Sequence, residues 1–218
     1  MKVLVIAPHP DDEVLGCGGT VAKYALRGDE IHLLIVTDAY PPDWSEDYRI
    51  RKEKEIKASN AILGIGSTVS LGYPTVKLDT VPQKELNDAI SGVVRDVMPE
   101  LAFIPHRGDL NRDHRIVFES ALVALRPVTG ACRKILSYEV PSETEWGRAI
   151  APFVPDAYAD ITGTIEVKLR AMETYRTEAR DPPHPRSTDT LRALARRRGS
   201  EIFVTYAEAY SLIREIMD

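Results

Sequence analysis

The stretch Val3-Leu4-Val5-Ile6-Ala7-Pro8-His9-Pro10-Asp11-Asp12-Glu13 runs from five apolar residues straight into an imidazole and three acids. A short, unbroken apolar run reads as a strand buried on both faces. Val14 to Leu26 then reads as a helix, closed by Arg27-Gly28-Asp29 with glycine in its usual terminating role. Ile31 to Val36 is a second buried strand that stops at Thr37-Asp38. Strand, helix, strand is a β-α-β unit, so the fold class is α/β with a mostly parallel sheet in a Rossmann-like three-layer sandwich. It also places His9 to Glu13 at a strand's carboxyl end, where open α/β sheets bind their ligands.

The same alternation continues. Arg51 to Leu63 is expected to be helical and to end at Gly64, and Thr68 to Leu71 to form a third strand. Pro82 to Val97 carries Leu86, Ile90, Val93 and Val97 at helical spacing, with Pro82 suited to a helix start. Leu101 to Pro105 reads as a fourth strand, followed by a polar loop and a helix through Val117, Ala121 and Leu125; Lys134 to Val140 reads as a fifth. From about residue 141 the pattern loosens, with Pro141, Pro152 and Pro155 punctuating a loop-rich stretch. Ile165 to Tyr175 and Thr190 to Arg198 are expected helices, Ile202 to Tyr206 an edge strand and Ala207 to Met217 a closing helix. With no repeat and no clean boundary, residues 1–218 read as one domain.

Composition narrows the partners. Hydrophobic residues make up 44% and charged residues 28%, ordinary for a globular protein able to bury a core. A net charge of −5 removes the electrostatic case for nucleic acid or an anionic membrane. No apolar run approaches a membrane span, and two cysteines outside any Cys-x-x-Cys pair suit a reducing compartment. A cytoplasmic protein with a small-molecule partner is expected.

His9 and Asp12 are three residues apart, so a helical turn brings them to one point. Two other readings compete. Asp11, Asp12 and Glu13 could merely complement the positive end of the next helix, although that leaves His9-Pro10 unexplained. Gly16, Gly18 and Gly19 could cradle a phosphate, but they follow the acids, which would repel one. A second cluster, His106-Arg107-Gly108-Asp109-Leu110-Asn111-Arg112-Asp113-His114, follows the fourth strand. Catalytic zinc takes three ligands from histidine and carboxylate and leaves a position for water. His9, Asp12 and His114 complete such a set, with Asp113 available to orient a ligand and His106 read as structural.

Together the two segments resemble the LmbE-like, or PIG-L, family of zinc-dependent N-acetylglucosaminyl deacetylases. The match runs through Ala7-Pro8-His9-Pro10-Asp11-Asp12-Glu13, with Pro8 inserted where alanine usually precedes the histidine, and through Gly16-Cys17-Gly18-Gly19-Thr20, Arg51-Lys52-Glu53 and Leu63-Gly64-Ile65. It returns at Asp109 to Arg115, Tyr138-Glu139-Val140-Pro141-Ser142, His184-Pro185-Arg186-Ser187 and Arg198-Gly199-Ser200. The resemblance implies Zn2+ held by His9, Asp12 and His114, Asp11 as general base, and a homo-oligomer that deacetylates an N-acetylated sugar. Asn111 stands where many members have a histidine; it can donate a hydrogen bond to an oxyanion but cannot supply a proton, so His184 or another residue would take that part. Arg51 and Trp146 are candidate substrate contacts, against a helix-surface charge and a loop anchor respectively. Arg192, Arg196, Arg197 and Arg198 could meet a phosphate or form a solvated, locally paired helix face. A zinc amidase for another acylated amine, and a metabolite-binding module without catalysis, are the alternative functions.

Overall fold

The computed structural model describes residues 1–128 and 132–217. In chain order the elements are β1 (Lys2–Ala7), α1 (Asp12–Leu26), β2 (Glu30–Asp38), α2 (Glu46–Leu63), β3 (Ser67–Pro74), α3 (Gln83–Val97), β4 (Leu101–Ile104), α4 (Arg112–Ala124), β5 (Lys134–Tyr138), β6 (Ala157–Asp160), α5 (Ile165–Thr174), α6 (Thr188–Ser200) and β7 (Ala207–Glu215). The seven strands form one sheet in the order β3-β2-β1-β4-β5-β7-β6. The first five pair in parallel, and β7 pairs antiparallel with both β5 and β6.

Alternate residues of the strands feed two separate cores. Val3, Val5 and Ala7 pack with α1, α5 and α6 on one face, and Leu4 and Ile6 pack with α3 and α4 on the other. That double burial is why β1 is apolar at every position. Chain order reverses direction between β1 and β4, and the crevice at their carboxyl ends is the switch point where such sheets bind ligands. His9 leaves one of these strands and His114 follows the other.

Two sequence expectations need correction. Ala207 to Met217 does not close the chain as a helix; Ala207–Glu215 is strand β7, seated between β5 and β6. Its Ala, Leu, Glu and Arg content favours helix only weakly, and the open sheet edge at β5 with the buried Tyr210 outweighs that preference. Residues 202–206, expected as an edge strand, form turns that lead α6 into β7. The edge strand is instead Ala157–Asp160, too short for periodicity to reveal.

The glycines after the acidic motif serve packing. A Cβ on Gly16 would lie 2.2 Å from Tyr138 Cδ2, and one on Gly19 would lie 2.8 Å from Ile161 Cδ1. Between them α1 breaks, with Cys17 at φ −142°. A buried ion pair caps both sides of this break: Lys168 Nζ donates to Leu15 O at 2.9 Å, and Glu208 accepts the amides of Gly19 and Thr20 at 2.9 and 2.8 Å. The two side chains meet at 2.6 Å. Positive charge on freed carbonyls and negative charge on freed amides is the arrangement a split helix requires.

Candidate active site

Three donor atoms converge at the switch point. His9 Nδ1 lies 3.1 Å from His114 Nε2, and Asp12 Oδ2 lies 3.3 Å from each. A tetrahedral zinc with bonds of about 2.0–2.1 Å separates its donors by about 3.3–3.4 Å, so this triangle matches one face of its coordination shell. His9, Asp12 and His114 form the metal-compatible group among the described residues.

Each imidazole is held from behind by a carboxylate. Asp113 Oδ2 meets His9 Nε2 at 3.1 Å and accepts the Val76 amide at 2.6 Å, while its Oδ1 accepts the Leu78 amide at 3.3 Å. Asp109 Oδ2 meets His114 Nδ1 at 2.8 Å, while its Oδ1 accepts the Thr144 hydroxyl at 2.6 Å. These contacts fix which ring nitrogen faces the centre: Nδ1 in His9 and Nε2 in His114. Asp113 therefore orients the His9 ring. Asp109, quoted in that motif but given no task, orients the His114 ring.

Charge makes the same case. Burial lowers the affinity of both histidines for a proton, yet Asp113 and Asp12 raise His9 to about 9, and Asp12 and Asp109 raise His114 well above its ordinary value. Burial would raise Asp12, but the imidazoles, His114 first, hold it far below the usual carboxylate range. Three carboxylates around two imidazoles demand positive charge, supplied by protons or by a dication.

The acids of the first motif divide the work. Asp11 occupies the position before α1 with φ +116°, a left-handed conformation uncommon outside glycine, and its side chain makes no cap hydrogen bond. Its Oδ2 instead receives Arg186 Nη1 at 3.0 Å. Glu13 stabilises the turn, accepting the Asp11 amide at 3.0 Å and the Tyr175 hydroxyl at 2.6 Å. Burial pushes the Asp11 carboxyl well above its ordinary value, Arg186 opposes this, and Asp12 and Glu178 add to it. A simple acidic helix start does not describe this motif. Pro8 is accommodated because its carbonyl accepts both the amide and the hydroxyl of Thr37, at 3.0 and 2.9 Å, tying the motif to the end of β2.

A cavity of about 210 Å³ opens beside His9 and Asp11, lined also by Thr37, Asp38, Trp44, Tyr48, Lys52, Thr75, Asn111, Glu178 and Arg186. Asn111 caps α4, its side-chain oxygen accepting the Asp113 amide at 3.0 Å, and the residue lines the cavity. The other expected contacts lie elsewhere. Arg51 is exposed on α2 and donates to Asp47 O; Trp146 is 70% exposed; His184 accepts the Arg186 amide at 3.1 Å; none of the three lines the cavity. The aromatic residues that do line it, Trp44 and Tyr48, come from the loop after β2 and the start of α2. Nothing in local sequence separates Trp44 from Trp146. Arg186 was visible only as part of a resembling segment. His106 is structural, bonded to Ala151 O and edge-on to Phe153. The basic cluster is locally paired, Arg192 with Glu166 and Arg198 with Glu139 and Glu201.

The model of the PIG-L family, described as GlcNAc-PI de-N-acetylase, matches residues 4–125. An uncharacterized deacetylase of Escherichia coli, YaiS, is 28% identical over 80% of this chain and 90% of its own. The diacetylchitobiose deacetylase of Thermococcus kodakarensis is 27% identical over 81% of this chain and 70% of its own. Among solved structures, N,N'-diacetylchitobiose deacetylase from Pyrococcus horikoshii superposes with a TM-score of 0.79 at 25% identity, over 97% of this chain and 83% of that one.

Proposed function

Because the chain belongs to the PIG-L family, we propose that it is a zinc-dependent deacetylase of N-acetylglucosamine-type sugars, releasing acetate. The observation that carries this reading is the His9–Asp12–His114 triangle with the Asp11 carboxylate on the cleft wall beside it. Bound there, zinc supplies Lewis-acid polarisation of the acyl carbonyl and acidifies the attacking water. The same donor set suits Fe(II), so the metal is part of the test.

The chain's own residues handle protons and charge. Asp11 takes the proton released as the water oxygen bonds to the carbonyl carbon. It returns that proton to the amine nitrogen as the C–N bond breaks, leaving acetate and a free amino sugar. Arg186 holds the Asp11 carboxylate in place through its Nη1 contact at 3.0 Å. The Asn111 NH2 donates to the carbonyl oxygen as negative charge develops there. Asp109 and Asp113 keep the imidazoles in the tautomers that leave the inner nitrogens free.

Metal analysis and acetate release test this together. Asp11→Asn should retain stoichiometric zinc while losing about 10²–10⁴-fold in turnover; full activity would remove the base assignment. His114→Ala should lose zinc. An acetylated diamine turned over faster than any N-acetyl sugar would favour the amidase alternative.

The protein would work as a homo-oligomer. Phe203, 99% exposed with φ +61° at the α6–β7 turn, is the most exposed large apolar side chain among the described residues and the contact we assign to a second copy. Light scattering of wild type and Phe203→Asp checks this. Two buried free cysteines support a reducing, cytoplasmic location.

A further inference from the structure

Two cations line the cleft, and both are engaged by the protein. Lys52 Nζ donates to Thr177 Oγ1 at 2.5 Å and Glu178 Oε1 at 2.7 Å, with Glu55 Oε2 at 3.5 Å. An ammonium has three donors, and this environment uses them. Arg186 spreads its guanidinium over Ser142 at 2.9 Å, Asp11 at 3.0 Å, Glu178 at 3.3 Å and Glu143 at 3.6 Å. Beside the cleft, Arg49 is held by Asp38 at 3.1 Å and Glu46 at 2.9 Å. Counted together, these three cations face six carboxylates, Asp11, Asp38, Glu46, Glu55, Glu143 and Glu178, so the balance in and around the wall is negative. A dication on His9, Asp12 and His114 would not reverse this, because Asp12, Asp109 and Asp113 surround it with three negative charges.

An anionic group entering such a cleft must break an ion pair or lie against a carboxylate, and like-charge juxtaposition is strongly unfavourable where solvent is excluded. Hydroxyl groups meet the opposite situation. Asp38, Glu178, Thr37 and Thr75 bring acceptor oxygens to the wall for sugar O–H donors, and Trp44 and Tyr48 add aromatic surface for the C–H side of a pyranose. At about 210 Å³ the cavity is small against the ~300–1,000 Å³ of pockets for larger ligands. That is the scale of a single hexosamine ring, so a substituent on the ring must meet or pass the residues of the wall.

We propose that the substrate is an N-acetylated amino sugar whose aglycone carries no phosphate or carboxylate, and that the paired cations of the cleft are the device that excludes anionic conjugates. The inference rests on the deacetylase reading and adds the charge of the aglycone to it. Asp38 is the specificity-determining residue, because it holds Arg49 away from a ligand.

The test compares two substrates that differ only at the anomeric position, methyl N-acetyl-β-glucosaminide and N-acetyl-β-glucosamine 1-phosphate, with zinc-loaded wild type and Asp38→Asn. Acetate release gives kcat/KM, and calorimetric titration of metal-free wild type with each sugar gives binding in the absence of turnover and with every ion pair of the cleft intact. The methyl glycoside is expected to lead by at least about 30-fold in kcat/KM, and Asp38→Asn, which releases Arg49, to narrow that ratio by about 5-fold. A phosphate ester turned over as well as the glycoside overturns the charge assignment and leaves deacetylation standing. An unchanged ratio in Asp38→Asn overturns the role of Asp38. No acetate from either sugar, with tighter binding of the glycoside, overturns deacetylation and supports the charge selection. Failure to bind or cleave either one overturns both.

Discussion

Asp109→Asn isolates the contribution of a single charge behind a metal-compatible histidine. Asp109 is 0% exposed, and both of its oxygens are committed, Oδ2 to His114 Nδ1 at 2.8 Å and Oδ1 to the Thr144 hydroxyl at 2.6 Å. Thr144 Oγ1 in turn accepts the Val140 amide at 2.8 Å. Asparagine has the same shape, so the substitution opens no cavity. If its NH2 faces His114, it can bond only an unprotonated Nδ1, which moves the ring proton to Nε2, the nitrogen needed at the centre. If its oxygen faces His114, the NH2 meets Thr144 and strands the threonine hydrogen. Either orientation also removes the negative charge that makes the imidazole a better donor. Loss of such an outer partner weakens metal binding by about 10–100-fold, or ~1.4–2.7 kcal/mol. Zinc affinity measured at pH 7.5 by competition with a chromophoric chelator reads this directly. Thr144→Val, which leaves the charge in place, should cost less than about 10-fold. A folded Asp109→Asn protein that binds zinc within about threefold of wild type would refute the orienting role.

Three further outcomes follow from the packing. Lys168→Met leaves Glu208 buried beneath the break in α1 without its partner at 2.6 Å, and should lower unfolding free energy in urea by about 3–5 kcal/mol; adding Glu208→Gln should recover part of that loss. Gly16→Ala drives a methyl to 2.2 Å from Tyr138 Cδ2, and should cost about 1–3 kcal/mol or more in the same assay, against no change if the two elements can separate freely. Burial pushes the Cys132 thiol up to about 11 and Cys17 well above its usual value. Raising a thiol's pKa keeps it protonated until pH approaches the new value, so at pH 8 the native protein holds about a hundredfold fewer thiolates than the unfolded chain. Rapid, stoichiometric labelling of either cysteine by a disulfide reagent at pH 8 without denaturant would contradict this.

The parallel half of the sheet and the location of the candidate site were legible in the chain because both follow from local pattern. Val3 to Ala7 is apolar at every position, which only a strand covered on both faces requires, and the acids after it mark where the next helix begins. The adjacency of His9 and His114, 105 residues apart, was a hypothesis until strand order placed β4 beside β1. Residues 207–215 were misread because a strand antiparallel to β5, carrying a buried Glu208, has no periodic signature of its own. Trp44 and Trp146 are equivalent as letters, and only the turn into α2 puts the first on the cleft. The resemblance implies separate duties for Asp11 and Asp12, but the contacts that hold Asp11, Asp12 and Glu13 apart lay beyond sequence for the same reason. Arg186, Tyr175 and the left-handed backbone at Asp11 reach them through folding. The sequence by itself determined which residues could bind a metal and carry protons, since that is a property of side-chain chemistry. Tertiary structure decided which nitrogen His9 turns inward and which cations are already spoken for, because His9 meets Asp113 across 104 residues, Lys52 meets Glu178 across 126 and Arg186 meets Asp11 across 175.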